Sequence, residues 1–210
     1  MEIEYKGGNT VVISTKGANL VIDPKASIVG LKDISTKDAI ELATEARFAL
    51  NNDAAKLNIE GPGEYGVAGF DIKGVAAQRH LDTEGQPLAS TMYRVEALDV
   101  RIAVIGNVYE KISETQLEDI GIVDILILPV GGSGYTLDAT GASTIVRQVE
   151  PKVVIPVHYA DDGLKYEVPQ DTFETFAKEL GAPVEEVAKY KLKSAGQLPA
   201  TLTTLKLARS

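Results

Sequence analysis

Two short runs constrain the fold of this chain more than anything else in it. Residues 123–129 read VDILILP and residues 152–156 read KVVIP. Each is apolar almost without interruption and too short for a helix buried on every side. Such runs are strands covered on both faces. Strands of that kind need a layer above and a layer below. Between them, residues 139–149 carry a helical period, so strand and helix alternate here.

The first quarter of the chain is built differently. Ile3 and Tyr5 alternate with charged residues, Gly7-Gly8-Asn9 turns the chain, and TVVIS follows. Lys16-Gly17 turns it again before NLVID, a meander of short strands. Asp23-Pro24 ends it, because proline restricts its predecessor and donates nothing to a ladder. The run KDAIELATEARFALNN, 37–52, then places Ala39, Leu42, Ala46 and Ala49 on one stripe. That spacing predicts a helix, capped by Ser35 or Thr36 and stopped at Asn51-Asn52-Asp53. KLNIE is a strand, and GPGEYGVAGFDIKGVAA, 61–77, is a glycine-punctuated hairpin. TMYRVEAL and VRIAVI form strands about a turn at Leu98-Asp99. Ser113 to Gln116 has the form of a capping box opening a short helix that ends near Ile120. Pro169 to Leu180 is a helix with Gly181 as its C-terminal cap, and TLTTLKL is a last strand. Two mixed sheets packed face to face, with helices outside, would bury all these patterns. No polar linker divides the chain, so residues 1–210 are expected to form one domain.

Composition narrows the chemistry. The formal net charge is -9, and an acidic surface repels phosphate backbones, so nucleic acid is not an expected partner. Cysteine is absent, which excludes disulfides, thiolate ligands and cysteine nucleophiles. No stretch approaches the ~18 apolar residues of a membrane span. MEIEYKGGN lacks the apolar core of a signal peptide, so a cytoplasmic location is expected.

Only two histidines exist, His80 in QRHLD and His158 in PVHYADD. A catalytic metal normally keeps three protein ligands and an open position. Asp82 is two residues from His80, and Asp161 or Asp162 follows His158. Either histidine could instead act as a general base, or simply satisfy a neighbouring carbonyl. Ser133 in GGSGY lacks the setting of a nucleophile elbow. Gly132 and the glycines around it follow a buried strand, as in an anion loop, but Asp138 is placed to cap the next helix instead. Glu64 and Tyr65 would join a site only if their turn leaned over the same cleft.

Together, DILILPVGGSGYTLDATGASTIVRQVEPKVVIPVHY, the early LVIDP, GPGEYGVAGFDIKGVA and the terminal TLTTLKL resemble the metallo-β-lactamase superfamily. Within it they are similar to small predicted metal-dependent hydrolases related to ascorbate-6-phosphate lactonase. The resemblance implies a four-layer αββα sandwich of two mixed β-sheets, with a site at one edge between them. It also implies a His-x-His-x-Asp-His loop soon after the Asp-Pro turn, yet no histidine lies between Asp23 and Gly61. His80 and His158 resemble two family histidines, and Asn107 stands where the bridging aspartate is expected. Too few ligands then remain for a two-metal site.

The resemblance therefore implies a degenerate member, with no metal or other cofactor expected and with a binding or structural role. Its ligand would be a small molecule or a protein, or a second copy of the chain. Asp23, Asp82, Gly132, Ser133 and Asp161 are candidate binding residues. The alternative is a hydrolase of a lactone, ester or phosphorylated small molecule, holding zinc or manganese at a reduced site of His80 and His158. A third reading is metal-free chemistry by His80, Asn107 and His158. A cleft plugged by Arg47, Phe48 or Tyr109 would oppose both enzymatic readings.

Overall fold

The computed structural model describes residues 1–82 and 88–210. Among them the strands are β1 (Glu2–Gly7), β2 (Thr10–Ser14), β3 (Asn19–Ile22), β4 (Ile40–Leu42), β5 (Leu57–Ile59), β6 (Gly63–Val67), β7 (Phe70–Ala77), β8 (Ser90–Ala97) and β9 (Val100–Val104). Helix α1 (Glu114–Ile120), β10 (Ile125–Pro129), α2 (Ala139–Val149), β11 (Val153–Val157), α3 (Phe173–Leu180), β12 (Val184–Val187), β13 (Tyr190–Lys191) and β14 (Thr203–Leu207) follow. The first sheet runs β13-β1-β2-β3-β4-β5 and the second β12-β14-β11-β10-β9-β8-β7-β6. Both are mixed. In the first sheet β3, β4 and β5 are parallel. In the second, β9, β10, β11 and β14 are parallel while β6 to β9 form an antiparallel meander.

One apolar core joins the two sheets. Ile13, Leu20, Ile22, Ile40 and Leu42 of the first sheet share it with Tyr93, Ile102, Leu126 and Ile155 of the second. Strands β10 and β11 are buried along their whole length, as their unbroken apolar runs require. Helix α1 packs on β7, α2 on β10, and α3 on α2. The capping box at Ser113 and Gln116 forms in both directions, and the Leu98-Asp99 turn holds both residues at positive φ, 53° and 59°.

The helix expected over 37–52 does not form. Its place is taken by β4, a 3₁₀ turn at Ala46–Phe48 and extended loops. Strand β4 lies between β3 and β5 and bonds to both. Ile40 and Leu42, two residues apart, enter the core, while Glu41 between them faces the other way. That carboxylate is buried, yet it accepts from Thr36 Oγ1 at 2.8 Å and from the amides of Leu50 and Asn51 at 2.6 and 2.7 Å. Helix propensity is worth only tenths of a kcal/mol per residue, and a central strand position outweighs it.

Helix α3 also begins later than expected, at Phe173 after Thr172. Pro169 stays outside it, because the segment before Phe173 is used to bring Gln170 onto His158 and Asp171 onto the carbonyl of Gly131. Gly181 does close the helix in the left-handed conformation. Strands β12 and β13 were not expected. Their side chains are mostly exposed, so no apolar alternation marks them.

Candidate active site

The ends of β3, β4, β9 and β11 meet at one edge between the sheets. After β3, Asp23 turns the chain at φ 48°. Its carboxylate accepts from the Thr44 amide and from Thr44 Oγ1, both at 2.7 Å. Burial pushes the Asp23 carboxyl up to about 7, against the lowering effect of those two bonds. Thr44 in turn lies against Gly106, where an added Cβ would come within 2.8 Å of the threonine. The backbone there has φ 66°, so glycine suits the position on both counts.

Glu45, the next residue, points into the edge and is 4% exposed. Its carboxylate accepts from Asn107 Nδ2 at 3.2 Å and lies 3.1 Å from Arg47 Nε and 3.7 Å from an Arg79 nitrogen. Burial pushes the Glu45 carboxyl up, while Arg47, Asn107 and Arg79 draw it back. Asn107 Oδ1 accepts from Asn9 Nδ2 at 3.2 Å. The Arg47 guanidinium sits over two rings, 4.6 Å from the centroid of Phe48 and 4.8 Å from that of Tyr135. Such contacts favour a cation on the ring face.

Tyr135 then covers His158. Tyr166 also tilts against the imidazole, with ring centroids 4.7 Å apart. His158 follows β11 at φ 51° and its amide donates to the carbonyl of Gly8. Gln170 Nε2 donates to the carbonyl of Val168, which turns Oε1 toward His158 Nδ1 at 3.0 Å. That amide orientation assigns the imidazole proton to Nδ1. His158 is 3% exposed, and burial pushes its imidazole pKa down to about 4, so it is neutral near pH 7. The cavity beside it, bounded by Val29, Tyr135, Tyr166 and Gln170, is about 10 Å³, barely the space of one water.

The other candidates lie apart or are engaged. His80 bonds through its amide to the carbonyl of Asn107, but its ring neighbours Tyr109 at 6.3 Å and its buried Nδ1 has no partner among the described residues. Asp82 takes a forked bond from Arg79, which holds its carboxyl below the usual range. Asp161 takes Arg209 at 2.8 and 3.2 Å rather than approaching His158, and that pairing holds its carboxyl low as well. Gly132 and Ser133 form a turn, with Ser133 exposed at φ 59°. Asp138 caps α2 by accepting from the Gly141 amide at 2.7 Å. Glu64 and Tyr65 lie on β6, the far edge of the second sheet, beside a separate cavity of about 390 Å³.

Sequence reasoning brought Asp23, Asn107 and His158 forward, and the structure gathers them at one edge. It missed Glu45, Arg47, Tyr135 and Gln170. Of the three residues named as able to plug the cleft, Arg47 lies over the ring of Phe48 at this edge, and Tyr109 neighbours His80. The chemistry of this set does not suit a divalent cation. Among the described residues, no group of three or more His, Asp or Glu is placed to hold one. Glu45 and Asp82 face guanidinium groups instead, and Asp23 is bonded to Thr44.

The family described as a beta-lactamase superfamily domain matches residues 2–158. The chain is 36% identical over 183 residues to a UPF0173 protein from Pyrococcus furiosus, a match covering 76% of this chain and 83% of the relative. It is 30% identical over 107 residues to a UPF0173 metal-dependent hydrolase from Thermoplasma acidophilum, covering 49% of this chain and 46% of that one. In fold it is similar to a metallo-β-lactamase superfamily protein from Thermotoga maritima, with TM-score 0.73, 22% identity and 99% of both chains covered. It is also similar to Igni18, a metallo hydrolase from Ignicoccus hospitalis, with TM-score 0.63, 16% identity, and 99% and 94% of the two chains covered.

Proposed function

Because the chain belongs to the metallo-β-lactamase superfamily, and because its His158 is sealed under Tyr135 rather than open to a ligand, we propose that it is a degenerate member without metal-dependent hydrolysis. It keeps the fold as a binding or structural protein. The observation that carries this reading is the burial of His158, 3% exposed, with only about 10 Å³ of space beside it. A hydrolytic centre needs room for a water and a scissile bond, and a metal centre of this kind works through an open coordination position.

The local sequence supports the same reading. The segment after β4, where the resemblance implies a His-x-His-x-Asp-His loop, reads Glu45-Ala46-Arg47-Phe48-Ala49-Leu50 and supplies no histidine. Asn107 offers a neutral amide where a carboxylate would neutralise positive charge. The partner in the binding role is a small molecule, a protein or a second copy of the chain. Among the described residues no helix is long and apolar enough to cross a membrane.

The test is metal analysis of untagged protein purified without added metal, followed by assays on lactones, esters and phosphorylated small molecules. Substoichiometric zinc, manganese and iron with no turnover are expected. Near-stoichiometric metal, or turnover abolished by a chelator and lost in His158→Ala, would overturn the reading. A second reading, a hydrolase with a reduced site at His80 and His158, draws on the Nδ1 of His80, which has no partner among the described residues. It requires that both histidines reach one ion, and loss of metal in both His80→Ala and His158→Ala would favour it.

A further inference from the structure

We propose that the Arg47 guanidinium, held on Glu45 and between the rings of Phe48 and Tyr135, is a resident cation that replaces a metal ion in binding the two sheets together at this edge. The inference rests on the reading of the preceding subsection and goes on to say what occupies the place of the lost centre.

The contacts span the sandwich. Glu45 and Arg47 follow β4 of the first sheet, and Asn9 lies in the turn between β1 and β2 of the same sheet. Arg79 follows β7, Asn107 follows β9, and Tyr135 lies in the segment between β10 and α2, all of the second sheet's side. The Glu45 carboxylate therefore receives Asn107 and Arg79 from one sheet and Arg47 from its own. Asn107 returns the link through Asn9. Tyr135 extends it from Arg47 to His158. A metal ion joins elements in the same manner, by collecting side chains from several strand ends around one positive charge.

Glu45 and Asp82 supply two negative charges, and Arg47 and Arg79 supply two positive ones. A divalent cation placed here would meet carboxylates already engaged, Glu45 and Asp82 by guanidinium groups and Asp23 by Thr44, in a setting where unpaired charge is costly. Arginine suits the role better than lysine. It stays charged at every physiological pH, its planar group stacks on rings, and it is more weakly hydrated than an ammonium ion. Arg47 Nε meets Glu45 as an ion contact rather than an aligned hydrogen bond, so the rings as well as the carboxylate fix its position.

The test is thermal unfolding of the full chain and of Arg47→Met, Arg47→Lys, Glu45→Gln and the double variant Glu45→Gln/Arg47→Met, each with zinc and with a chelator. The wild-type Tm should move with neither addition. Arg47→Met should lower Tm by about 6 °C or more and recover nothing with zinc. Arg47→Lys should recover less than half of that loss. The double variant, with both charges removed, should lie above Arg47→Met, so the effects are not additive. An Arg47→Met Tm within about 1 °C of wild type, additive effects, or failure of the neutral pair to fold would each overturn the inference. Those failures leave the absence of hydrolysis untouched. Zinc uptake that raises the wild-type Tm would overturn both readings together.

Discussion

The ring of Tyr135 lies nearly flat on the imidazole of His158, with centroids 5.5 Å apart and planes 15° from parallel. The same ring carries Arg47 at 4.8 Å. One tyrosine thus closes off a histidine and seats a cation. Both consequences follow from where a single segment, the turn after β10, lays one side chain.

Removing the lid should return the histidine to water. In Tyr135→Ala the His158 pKa is expected to rise from about 4 toward its ordinary value near 6.5, because burial is the main cause of the depression. The variant should also lose about 3 kcal/mol of stability, the scale of a large-to-small change at a buried ring. An imidazole titration followed by NMR checks the first, and denaturant unfolding the second. An imidazole that still titrates near pH 4 in the variant would contradict the role given to the ring.

Asp23 and His158 should pull stability in opposite directions over nearly the same pH range. The folded His158 titrates near 4 instead of 6.5, so the unfolded chain binds its proton first. Stability from this group is present above pH 6.5 and is lost as pH falls toward 4, by about 3 kcal/mol at 1.36 kcal/mol per tenfold change. The folded Asp23 titrates near 7 instead of 3.8, so the folded chain binds its proton first. Its stability is present below pH 3.8 and is lost as pH rises to 7, by about 4 kcal/mol on the same scale. Relative to wild type, Asp23→Asn should therefore lose stability more steeply between pH 7 and pH 5. His158→Asn should gain stability over that interval. Asparagine tolerates the positive φ at both positions. Equal pH slopes for all three proteins would remove the argument.

Gly131 should resist any side chain. An added Cβ would overlap the carbonyl of His158 and the Gln170 amide. Gly131→Ala is expected to cost about 3 kcal/mol and to displace Gln170 from His158. Gly134 is a control, since it has φ 69° but nothing within 4 Å of an added Cβ, and Gly134→Ala should cost only about 1 kcal/mol. Equal losses at the two positions would show that crowding at Gly131 is relieved by easy movement.

Glu41 should hold the loop that carries Arg47. Glu41→Ala leaves the Leu50 and Asn51 amides without their acceptor and is expected to cost about 2 to 4 kcal/mol. Hydrogen exchange at those two amides should quicken more than exchange in β10. Unchanged protection at Leu50 and Asn51 would count against this role.

The elements legible in the sequence were those whose pattern reflects their own environment. VDILILP and KVVIP became β10 and β11 because an unbroken apolar run fits only a strand covered on both faces. Ser113 and Gln116 capped α1 through a local exchange of hydrogen bonds. The segment 37–52 misled for the opposite reason. Its alanines, leucines and glutamates carry helical spacing, while the i, i+2 pair Ile40 and Leu42 is too short a signal to compete. With that segment read as a helix, Glu45 and Arg47 resemble a solvated face. Among candidate site residues, histidines stand out by type, but Tyr135 and Gln170 are ordinary residues until something folds them onto His158.

The sequence alone determined which residue types were available: two histidines, no cysteine, and an asparagine at 107. It also determined the strand and helix order through most of the second sheet, since period and capping act over a few residues. The tertiary structure decided that β4 is a strand, that Glu45 and Arg47 turn inward, and that His158 is covered. Those outcomes depend on contacts between residues far apart in the chain, where burial and pairing energies exceed any local preference and leave no local pattern to read.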